Sequence, residues 1–465
     1  MSPPPARPGA FAVHGHFYQP PREDPFTGRT LPDPTASPAA DWTSRVTAES
    51  YAPNAAHGNF GRIGWDLGPT LARWLRREQP DLHDAIVGQD DGTNGMAQGY
   101  HHAILPFASA RDRRTEIRWG LRDFELRVGR RPTGIWLPET AVDRLTLRIC
   151  AEEGVRWTIL APWQGEGPVS TGVAYRADLG DGLRIGIGFF HAELSAAVSF
   201  DPMATSDADR FLELLVRPRL TAGETVMIAT DGELYGHHQK FRELFLQRLL
   251  TAGAADRGIT ITSPGRWLGN GTDLATLPVV RVRERTSWSC HHGVARWGAE
   301  CPCAAGSHWK PALRAALDRL AAAVDARTEL AAAELGVDPW ATRDRYVDVA
   351  SDYRDGESWA ASEFGAVGRG SGRGAREQLL LLMHAQASRL AMFSSCGWFW
   401  DDPHRPEVHQ VLRSAAHAAR LLDGAFGSRL ETTLQDDLSA MVTPAGDADG
   451  RQLYRAALAA VGQPA

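Results

Sequence analysis

The sequence predicts an α/β fold in which a seven-stranded parallel (β/α)7 barrel is followed by a C-terminal α-helical bundle domain. Three observations carry this prediction. Short apolar runs alternate with helix-like amphipathic stretches over roughly the first 265 residues, which is typical of repeated strand–helix units in a parallel sheet. Several of the runs end in polar residues, as strands do at the rim of a barrel. Beyond this region alanine- and leucine-rich stretches predominate, and they favour helices.

The strand candidates are short apolar runs bounded by polar or turn-forming residues, as expected of strands that are buried on both faces. They are Phe11–His16, Asp84–Gln89, Gly134–Glu139, Trp157–Pro162, Arg184–Phe190, Thr225–Glu233 and Gly258–Ser263. Their number predicts the seven strands of the barrel.

Helical periodicity fills the intervals between these strands. Leu67–Gln79 carries an apolar stripe and stops at Pro80, which cannot continue a helix interior. Thr115–Gly129 and Glu139–Gly154 each end on a glycine suited to a helix C-terminus. The region Pro20–Ala56 is rich in proline and polar residues, and its length predicts a long loop folded over the barrel mouth.

We expect three regions along the chain. Residues 1–265 are expected to form the barrel with its loop 20–56, residues 266–302 a connecting segment that lines the cleft of the barrel, and residues 303–465 the helical domain. The predicted helical stretches are Trp309–Leu335, Trp340–Tyr353, Ala375–Phe393, Pro406–Leu422 and Leu430–Met441. A glycine-rich stretch, Phe364–Ala375, is predicted to be a flexible loop.

Composition excludes several classes of protein. The 50 lysines and arginines are outnumbered by 56 acidic residues, for a net charge of −6, so no basic surface for nucleic acid is expected. Five cysteines in 465 residues are too few for a disulfide scaffold and favour a reducing compartment. No apolar run has the length of a signal peptide or of a membrane span. We therefore expect a cytoplasmic protein without membrane or nucleic-acid partners; its oligomeric state is left open.

Four ordered motifs identify a family resemblance. HGHFYQP (residues 14–20), GQDDGTNGMAQGYHHAILP (88–106), GIWLPE (134–139) and TDGELYG (230–236) together resemble glycoside hydrolase family 57. The resemblance implies a retaining α-glucan hydrolase, transglycosylase or branching enzyme on a seven-stranded barrel. It implies Glu139 as the nucleophile and Asp231 as the general acid/base, with no cofactor. From about Thr286 onward, the chain also resembles a domain of unknown function that accompanies this barrel in some members.

The match departs from the family pattern at one point. Phe17 and Tyr18 stand as two extra residues between His16 and Gln19. The second motif of the family, a histidine shortly before Leu-Pro, fits His102 best.

The chemistry of a retaining glycosidase requires two carboxyl groups about 5–5.5 Å apart, one ionised and one protonated. Glu139 and Asp231 are far apart in the chain, so they can meet only if different strand ends present them side by side. Glu139 is also explained as a charge favoured by a helix N-terminus, and Asp231 as an acidic turn residue. Glu233 is the main competitor for the acid/base role and otherwise a substrate-binding residue.

Further candidates for sugar binding follow the predicted strands or are implied by the resemblance. Histidines near strand ends can donate hydrogen bonds to sugar hydroxyls, although a lone histidine is more often structural. Indole rings can stack on sugar rings. The candidates are His16, His102, Trp136, Glu233, Asp90, His191, Trp288 and Trp398, with His14, His101, Asp91 and Glu193 beside them.

A cysteine- and histidine-containing stretch lies in the segment Arg285–Cys303. Cys290, His291, His292, Cys301 and Cys303 could supply four zinc ligands. The spacing is not that of common paired-cysteine sites, and adjacent histidines do not easily share a tetrahedron. We therefore expect no metal, and packing or cleft lining by Trp288 and His291 as the alternatives.

The sequence thus predicts an enzyme that acts on an α-glucan or maltooligosaccharide by double displacement. Hydrolysis and transfer to another sugar remain open as outcomes. One alternative is a metal-dependent polysaccharide deacetylase that uses Asp90 or Asp91 with His101 and His102. Another is a non-catalytic glucan-binding protein that has kept the cleft.

Overall fold

The computed structural model describes residues 9–269, 271–366 and 372–459; residues 367–371 of the predicted glycine-rich loop lie outside this part. The described chain forms nine strands. They are β1 (Ala10–Phe17), β2 (Gly64–Leu67), β3 (Gly95–Gln98), β4 (Ile135–Trp136), β5 (Trp157–Leu160), β6 (Ala174–Gly180), β7 (Leu183–Phe189), β8 (Thr225–Asp231) and β9 (Thr260–Thr262).

Eight of these strands pair in parallel; β1–β5, β7 and β8 surround the barrel, and β9 pairs with the start of β1. One sheet has the order β4-β3-β2-β1-β8, and a second has the order β5-β7-β6 with β6 antiparallel to β7. A parallel bridge between Gly134 and Trp157 links β4 to β5. The His191 N–H donates to the Met227 carbonyl oxygen at 2.7 Å, which links the end of β7 to β8. The predicted fold class, a (β/α)7 barrel with a helical region after it, is confirmed.

Ten helices lie within the first 265 residues of the described chain. They are α1 (Trp42–Val46), α2 (Ala52–Ala56), α3 (Pro69–Glu78), α4 (Pro80–Val87), α5 (Ala110–Val128), α6 (Arg144–Glu152), α7 (Ala192–Phe200), α8 (Ala208–Phe211), α9 (Arg242–Leu250) and α10 (Ala252–Ala255). Asp143 caps α6 by accepting a hydrogen bond from the Thr146 N–H, and His191 caps α7 in the same way through Leu194.

Nine helices follow in the described C-terminal part. They are α11 (Lys310–Leu335), α12 (Pro339–Arg345), α13 (Val347–Ala350), α14 (Gly356–Ala366), α15 (Arg373–Ala391), α16 (Cys396–Phe399), α17 (Pro406–Phe426), α18 (Leu430–Leu438) and α19 (Gly450–Ala459). The long helices α11, α15 and α17 pack on one another, as predicted for a bundle.

Two local predictions are wrong. Asp84–Gln89 is not a strand, because its apolar residues belong to α4, which begins at Pro80 and buries His83 and Ile86 on one side. The region Pro20–Ala56 is not a continuous loop, since α1, a π-helical turn at Thr47–Tyr51 and α2 form its second half.

Tight packing fills the barrel interior. Gly134 admits the Trp157 ring, since a Cβ atom at Gly134 would lie 2.4 Å from it. The buried interior side chains come from most strands of the barrel and include Ala12, Met96, Trp136, Trp157, Ile159, Met227 and Ala229. The interior is therefore closed, and chemistry is confined to the rim.

The described chain divides into two compact units. The barrel unit comprises residues 9–19, 33–99 and 127–289, and the helical unit comprises residues 20–32, 100–126 and 290–459. All nine strands lie in the barrel unit. The predicted boundaries at 265 and 302 do not coincide with the division at 289. In the described parts of the chain, no helix is both long and apolar enough to cross a membrane.

The helical unit contains a buried ionic network. The Asp112 carboxylate forms ion pairs with Arg389 at 2.6 Å and Arg343 at 3.0 Å. Arg389 also pairs with Asp325 at 2.9 Å. Arg343 is fully buried. Such a network tolerates burial only because each charge has an opposite partner.

Candidate active site

The carboxyl ends of three adjacent strands bring acidic and histidine side chains to one level of the barrel. His16 at the end of β1 lies opposite Asp66 on β2 and opposite Asp231 on β8. Because the strands are parallel, the turns after them open at the same rim. This register places His16 between two carboxylates.

Glu139 follows β4 in a single 3-10 turn, Pro138–Thr140. Its backbone is left-handed, with φ 55° and ψ 22°, and Thr140 also has a positive φ of 45°. Non-glycine residues adopt this conformation at a cost, and it concentrates at functional positions. The turn thus directs a carboxylate away from the strand at the end of β4.

Two donors hold the Glu139 carboxylate. The Ser289 hydroxyl donates to Oε2 at 2.7 Å and the Trp288 indole Nε1–H donates to the same oxygen at 3.1 Å. The Trp288 backbone N–H also donates to the Glu139 carbonyl oxygen at 3.1 Å. On balance the pKa of Glu139 is raised: burial and the charge of Asp231 raise it, and the hydrogen bonds from Ser289 and Trp288 and the charge of His16 only partly oppose this. Donors of this kind favour the ionised carboxylate.

Asp231 ends β8 and is exposed. In the part of the chain that the structure describes, its carboxylate has no hydrogen-bond partner. Although the side chain is exposed, the protein around it displaces part of its hydration. This desolvation raises the pKa of Asp231, against the lowering effect of the His16 charge. A carboxyl group that is open to the cleft and has a raised pKa is suited to proton exchange with a ligand.

Glu233 lies two residues further on and is buried, with 5% of its surface exposed. Its Oε1 accepts a hydrogen bond from the Tyr51 hydroxyl at 2.5 Å and another from the Tyr18 N–H at 3.1 Å. Burial and the charge of Asp231 raise the pKa of Glu233 to about 7. Glu233 is therefore fixed in place and changes its charge near neutral pH.

Asp66 joins two histidines into a buried network. Its Oδ1 lies 2.9 Å from His14 Nε2, its Oδ2 lies 2.8 Å from His16 Nδ1, and the Gln98 amide donates to Oδ2 at 2.9 Å. Burial lowers the pKa of His16, but the charges of Asp66, Asp231 and Glu233 outweigh it and raise that pKa to about 9. Burial lowers the pKa of His14. At neutral pH His16 is the cation of the site and His14 is neutral.

The Trp136 indole packs against both histidines of this network. The Trp136 ring stacks on His14 at 4.9 Å and on His16 at 5.1 Å between ring centroids. Trp136 is fully buried, so it has no free face for a sugar ring, and that part of the prediction is wrong. Trp288 meets the edge of Trp136 at 5.0 Å and is only partly buried.

Asp90 does not lie at a strand's carboxyl end. It precedes β3, and its carboxylate pairs with Arg130 Nε at 2.7 Å and accepts the Gly95 N–H at 3.0 Å. The prediction of Asp90 at the sugar site rested on the wrong strand, Asp84–Gln89, and is corrected here. Its neighbour Asp91 closes a turn through Thr93 and pairs with Arg266.

His191 follows β7, as predicted. Its Nδ1 accepts the Leu194 N–H at 3.4 Å at the start of α7, and burial lowers its pKa. His191 is partly buried and neutral at neutral pH.

Three of the predicted residues belong to the helical unit. His102 has a φ of 56° and its Nδ1 lies 2.6 Å from the Ser395 hydroxyl. His101 bonds Glu116 at 2.8 Å. Trp398 has 1% of its surface exposed, and the expectation that its ring flanks a sugar stays a prediction.

Sequence reasoning missed Asp66, Tyr51 and Ser289. Asp66 lies within the four-residue strand GWDL. Its polar side chain interrupts the apolar run by which a buried strand is recognised. Tyr51 lies in a stretch predicted to be a loop. Ser289 lies next to Trp288, which was a candidate, but a lone serine gives no signal by itself.

Two sequence profiles of known families match this chain. The sequence profile described as Glycosyl hydrolase family 57 matches residues 10–264, more than half of the chain. The chain belongs to glycosyl hydrolase family 57. A second profile, Domain of unknown function (DUF3536), matches residues 307–461. No curated protein matches this chain by sequence.

Solved structures share the fold of this family 57 chain. An exo-type maltose-forming amylase from Pyrococcus sp. ST04 is 15% identical with a TM-score of 0.75, over 97% of this chain and 88% of the other. A family 57 branching enzyme from Thermococcus kodakaraensis is 15% identical with a TM-score of 0.61, over 96% of each chain. A 4-alpha-glucanotransferase from Thermococcus litoralis is 15% identical with a TM-score of 0.58, over 89% of this chain and 60% of the other.

Family membership confirms the predicted resemblance and the predicted class of enzyme, a glycoside hydrolase or transglycosylase. The polysaccharide deacetylase was the alternative on a similar barrel. Its proposed aspartates, Asp90 and Asp91, are bonded to Arg130 and Arg266, which also speaks against it.

Proposed function

We propose that this family 57 protein cleaves an α-linked glucan or maltooligosaccharide by double displacement, with retention at the anomeric carbon. The observation that carries the proposal is the Glu139 carboxylate, which receives the Ser289 hydroxyl and the Trp288 indole N–H within the electrostatic reach of Asp231 and His16. Structural relatives named as a maltose-forming amylase and a 4-alpha-glucanotransferase support an α-glucan as the substrate.

In this proposal Glu139 is the nucleophile. Its ionised oxygen attacks the anomeric carbon while Asp231 donates its proton to the leaving glycosidic oxygen, and a glycosyl ester on Glu139 results. Asp231 then takes a proton from water or from an acceptor hydroxyl, whose oxygen displaces Glu139. Water gives hydrolysis and a sugar hydroxyl gives transfer.

Asp231 is assigned the acid/base role in preference to Glu233 because of their different surroundings. Asp231 is exposed and without a hydrogen-bond partner in the described chain, so its proton can reach a ligand. Glu233 is buried and bonded by Tyr51 and Tyr18, which suits a residue that positions its neighbours. His16, with a pKa of about 9, supplies a positive charge beside both carboxylates.

Sugar hydroxyls are assigned to the rim residues that retain exposed surface. Trp288 and His191 are partly buried, and both were predicted from the sequence to bind sugar. His16 is 5% exposed and is assigned the same role. His102 remains a candidate for substrate binding from the family resemblance.

The test begins with Glu139→Gln, assayed on maltooligosaccharides and amylose with product-length analysis. We expect kcat to fall by at least about 10³-fold, because the amide cannot form the glycosyl ester. Glu78→Gln, an exposed residue at the end of α3, is the matched control and keeps its activity. Near-normal turnover in a folded Glu139→Gln variant overturns the assignment of the nucleophile.

A second pair of variants separates the two acid/base candidates. Asp231→Asn should lose activity on natural glucans but keep at least about tenfold more of it on an aryl glycoside with an activated leaving group, which departs without a proton. Glu233→Gln should lose both activities in the same proportion. The reverse pattern moves the acid/base role to Glu233.

A further inference from the structure

A cluster of three cysteines and one histidine lies immediately after Ser289, within the helical unit. The ligand atoms of Cys290, His292, Cys301 and Cys303 all lie within 4.8 Å of one another. All five cysteines of the chain are free thiols. The neighbouring histidine, His291, is not part of this cluster.

The distances within the cluster are those of a tetrahedral metal site. Zn–S bonds of about 2.3 Å and a Zn–N bond of about 2.0–2.1 Å at tetrahedral angles separate two sulfurs by about 3.8 Å and a sulfur from a nitrogen by about 3.6 Å. The Cys290 and Cys301 sulfurs are 3.6 Å apart. His292 Nδ1 lies 3.8, 3.5 and 3.3 Å from the sulfurs of Cys290, Cys301 and Cys303.

Two tight turns create this convergence. Gly293, with a φ of 70°, donates its N–H to the Cys290 carbonyl oxygen at 3.0 Å, and the first turn thereby presents Cys290 and His292. Ala304 donates its N–H to the Cys301 carbonyl oxygen at 2.8 Å, and the second turn presents Cys301 and Cys303. Each turn therefore contributes two ligands.

The surroundings also fit a bound cation better than simple packing. Cys290 and Cys301 are buried, but Cys303 and His292 are exposed, so burial of apolar surface does not explain why their side chains point to the same centre. The Ser307 hydroxyl accepts the Cys301 N–H at 3.3 Å, which fixes one ligand from outside the cluster, as a second layer of hydrogen bonds does in metal sites.

We propose that Cys290, His292, Cys301 and Cys303 bind one zinc ion in a closed, structural site. Three thiolates and one imidazole fill a tetrahedron and leave no position for water, which is typical of structural and not of catalytic zinc. The sequence expectation of no metal rested on adjacent histidines competing for one centre. The structure removes that objection, because only His292 takes part.

The test measures the zinc content of the full-length protein, produced in zinc-supplemented medium and purified without chelators or a histidine tag. We expect about one zinc per chain. His292→Ala and Cys303→Ser, both at exposed positions, should lower this content at least about tenfold. The matched controls His291→Ala and Cys396→Ser should retain it.

Wild-type protein gives a second readout that does not depend on the folding of a variant. Modification of the thiols with a mercurial should release about one zinc per chain, and cobalt bound in its place should show the visible absorption of a tetrahedral thiolate site. Folded wild-type protein without zinc overturns the proposal. So does equal zinc content in all four variants, or an intact mass that shows a disulfide among the three cysteines.

Discussion

Glu139 combines two features that a single side chain rarely has by chance. Its backbone is left-handed, which costs on the order of 1–3 kcal/mol for a residue other than glycine. Its carboxylate also receives two side-chain donors. A strained turn persists only where neighbouring contacts maintain it, and the Trp288 N–H bonded to the Glu139 carbonyl oxygen is one such contact.

Ser289 tunes the charge of this carboxylate. Its hydroxyl lowers the pKa of Glu139, so Ser289→Ala should raise that pKa and move the acidic limb of the kcat/KM profile to higher pH, since ionised Glu139 is required. We expect kcat/KM to fall by about 10–100-fold, the effect of losing one strong hydrogen bond to a charged group. The pH profile is the decisive measurement, because a purely structural role would leave its limb unmoved. Ser439→Ala, at an exposed serine, serves as the control.

Glu233 links the site to stability. Its pKa is raised to about 7 in the folded chain and is about 4.3 in an unfolded one. Between these values only the folded chain holds the proton, so the group's contribution to stability is full below about pH 4 and is lost as the pH rises to about 7, by up to about 3 kcal/mol. Glu233→Gln cannot lose a proton. Urea unfolding at about pH 5 and about pH 8 should therefore show a smaller loss of stability in this variant than in wild type; equal losses would contradict the pKa assignment.

Single residues also show what the sequence could and could not predict about the site. Asp231 and His16 lie at strand ends that apolar runs made visible. Tyr51 reaches Glu233 from 182 positions away, and no local pattern encodes such a contact. Trp136 was predicted at the right place but with the wrong role, because its burial depends on the two histidine rings that cover it.

At the scale of elements, the site depends on how closely β1 and the turn after β8 approach. Gly232 separates Asp231 from Glu233, and a Cβ atom there would lie 2.3 Å from the Phe17 ring. Phe17 is fully buried between neighbouring aromatic rings. Only a glycine allows this contact, so the spacing Asp-Gly-Glu is a packing requirement.

Gly232→Ala should therefore displace the two acidic residues. We expect a loss of stability of about 1–3 kcal/mol from overpacking, together with a loss of activity larger than that destabilisation explains. Thermal unfolding and kcat measured well below the midpoint test the two effects separately. Gly424→Ala, at a position in α17 with open space around it, should keep both properties. Full activity in the Gly232 variant would show that the turn can relax without moving either carboxyl group.

Two of the strands that the sequence failed to predict share one property. β2 and β3 have four residues each and carry Asp66 and Gln98 at the rim, so the functional residues interrupt the apolar pattern that identifies a strand. The longer strands β1, β7 and β8, and the four-residue apolar strand β5, were predicted nearly at their observed bounds. α4 was mistaken for a strand because its short apolar run gives no clear period.

At the scale of the whole molecule, the compact units do not follow the chain in order. The helical unit includes residues 100–126, which lie within the region matched by the family 57 profile. In this unit Trp119 Nε1–H donates to the Arg343 carbonyl oxygen at 3.0 Å, and Asp112 is paired with Arg389 and Arg343. The hydroxyls of Tyr100 and Ser351 are 3.0 Å apart. The sequence alone does not predict that residues 100–126 belong to the helical unit, because they look like any other loop and helix of the barrel.

A chain truncated after Ser289 should therefore fail to fold as an independent barrel. Trp119 is fully buried, and the truncation removes its partner Arg343 together with the arginines of Asp112, which leaves apolar and charged groups exposed that favour aggregation. We expect residues 1–289 to be insoluble or to lack a cooperative unfolding transition. Co-expression with residues 290–465 should restore soluble protein by returning these partners, and purification through a tag on one fragment measures it. A soluble 1–289 fragment with a sharp transition of its own would instead show that residues 100–126 do not need the C-terminal helices.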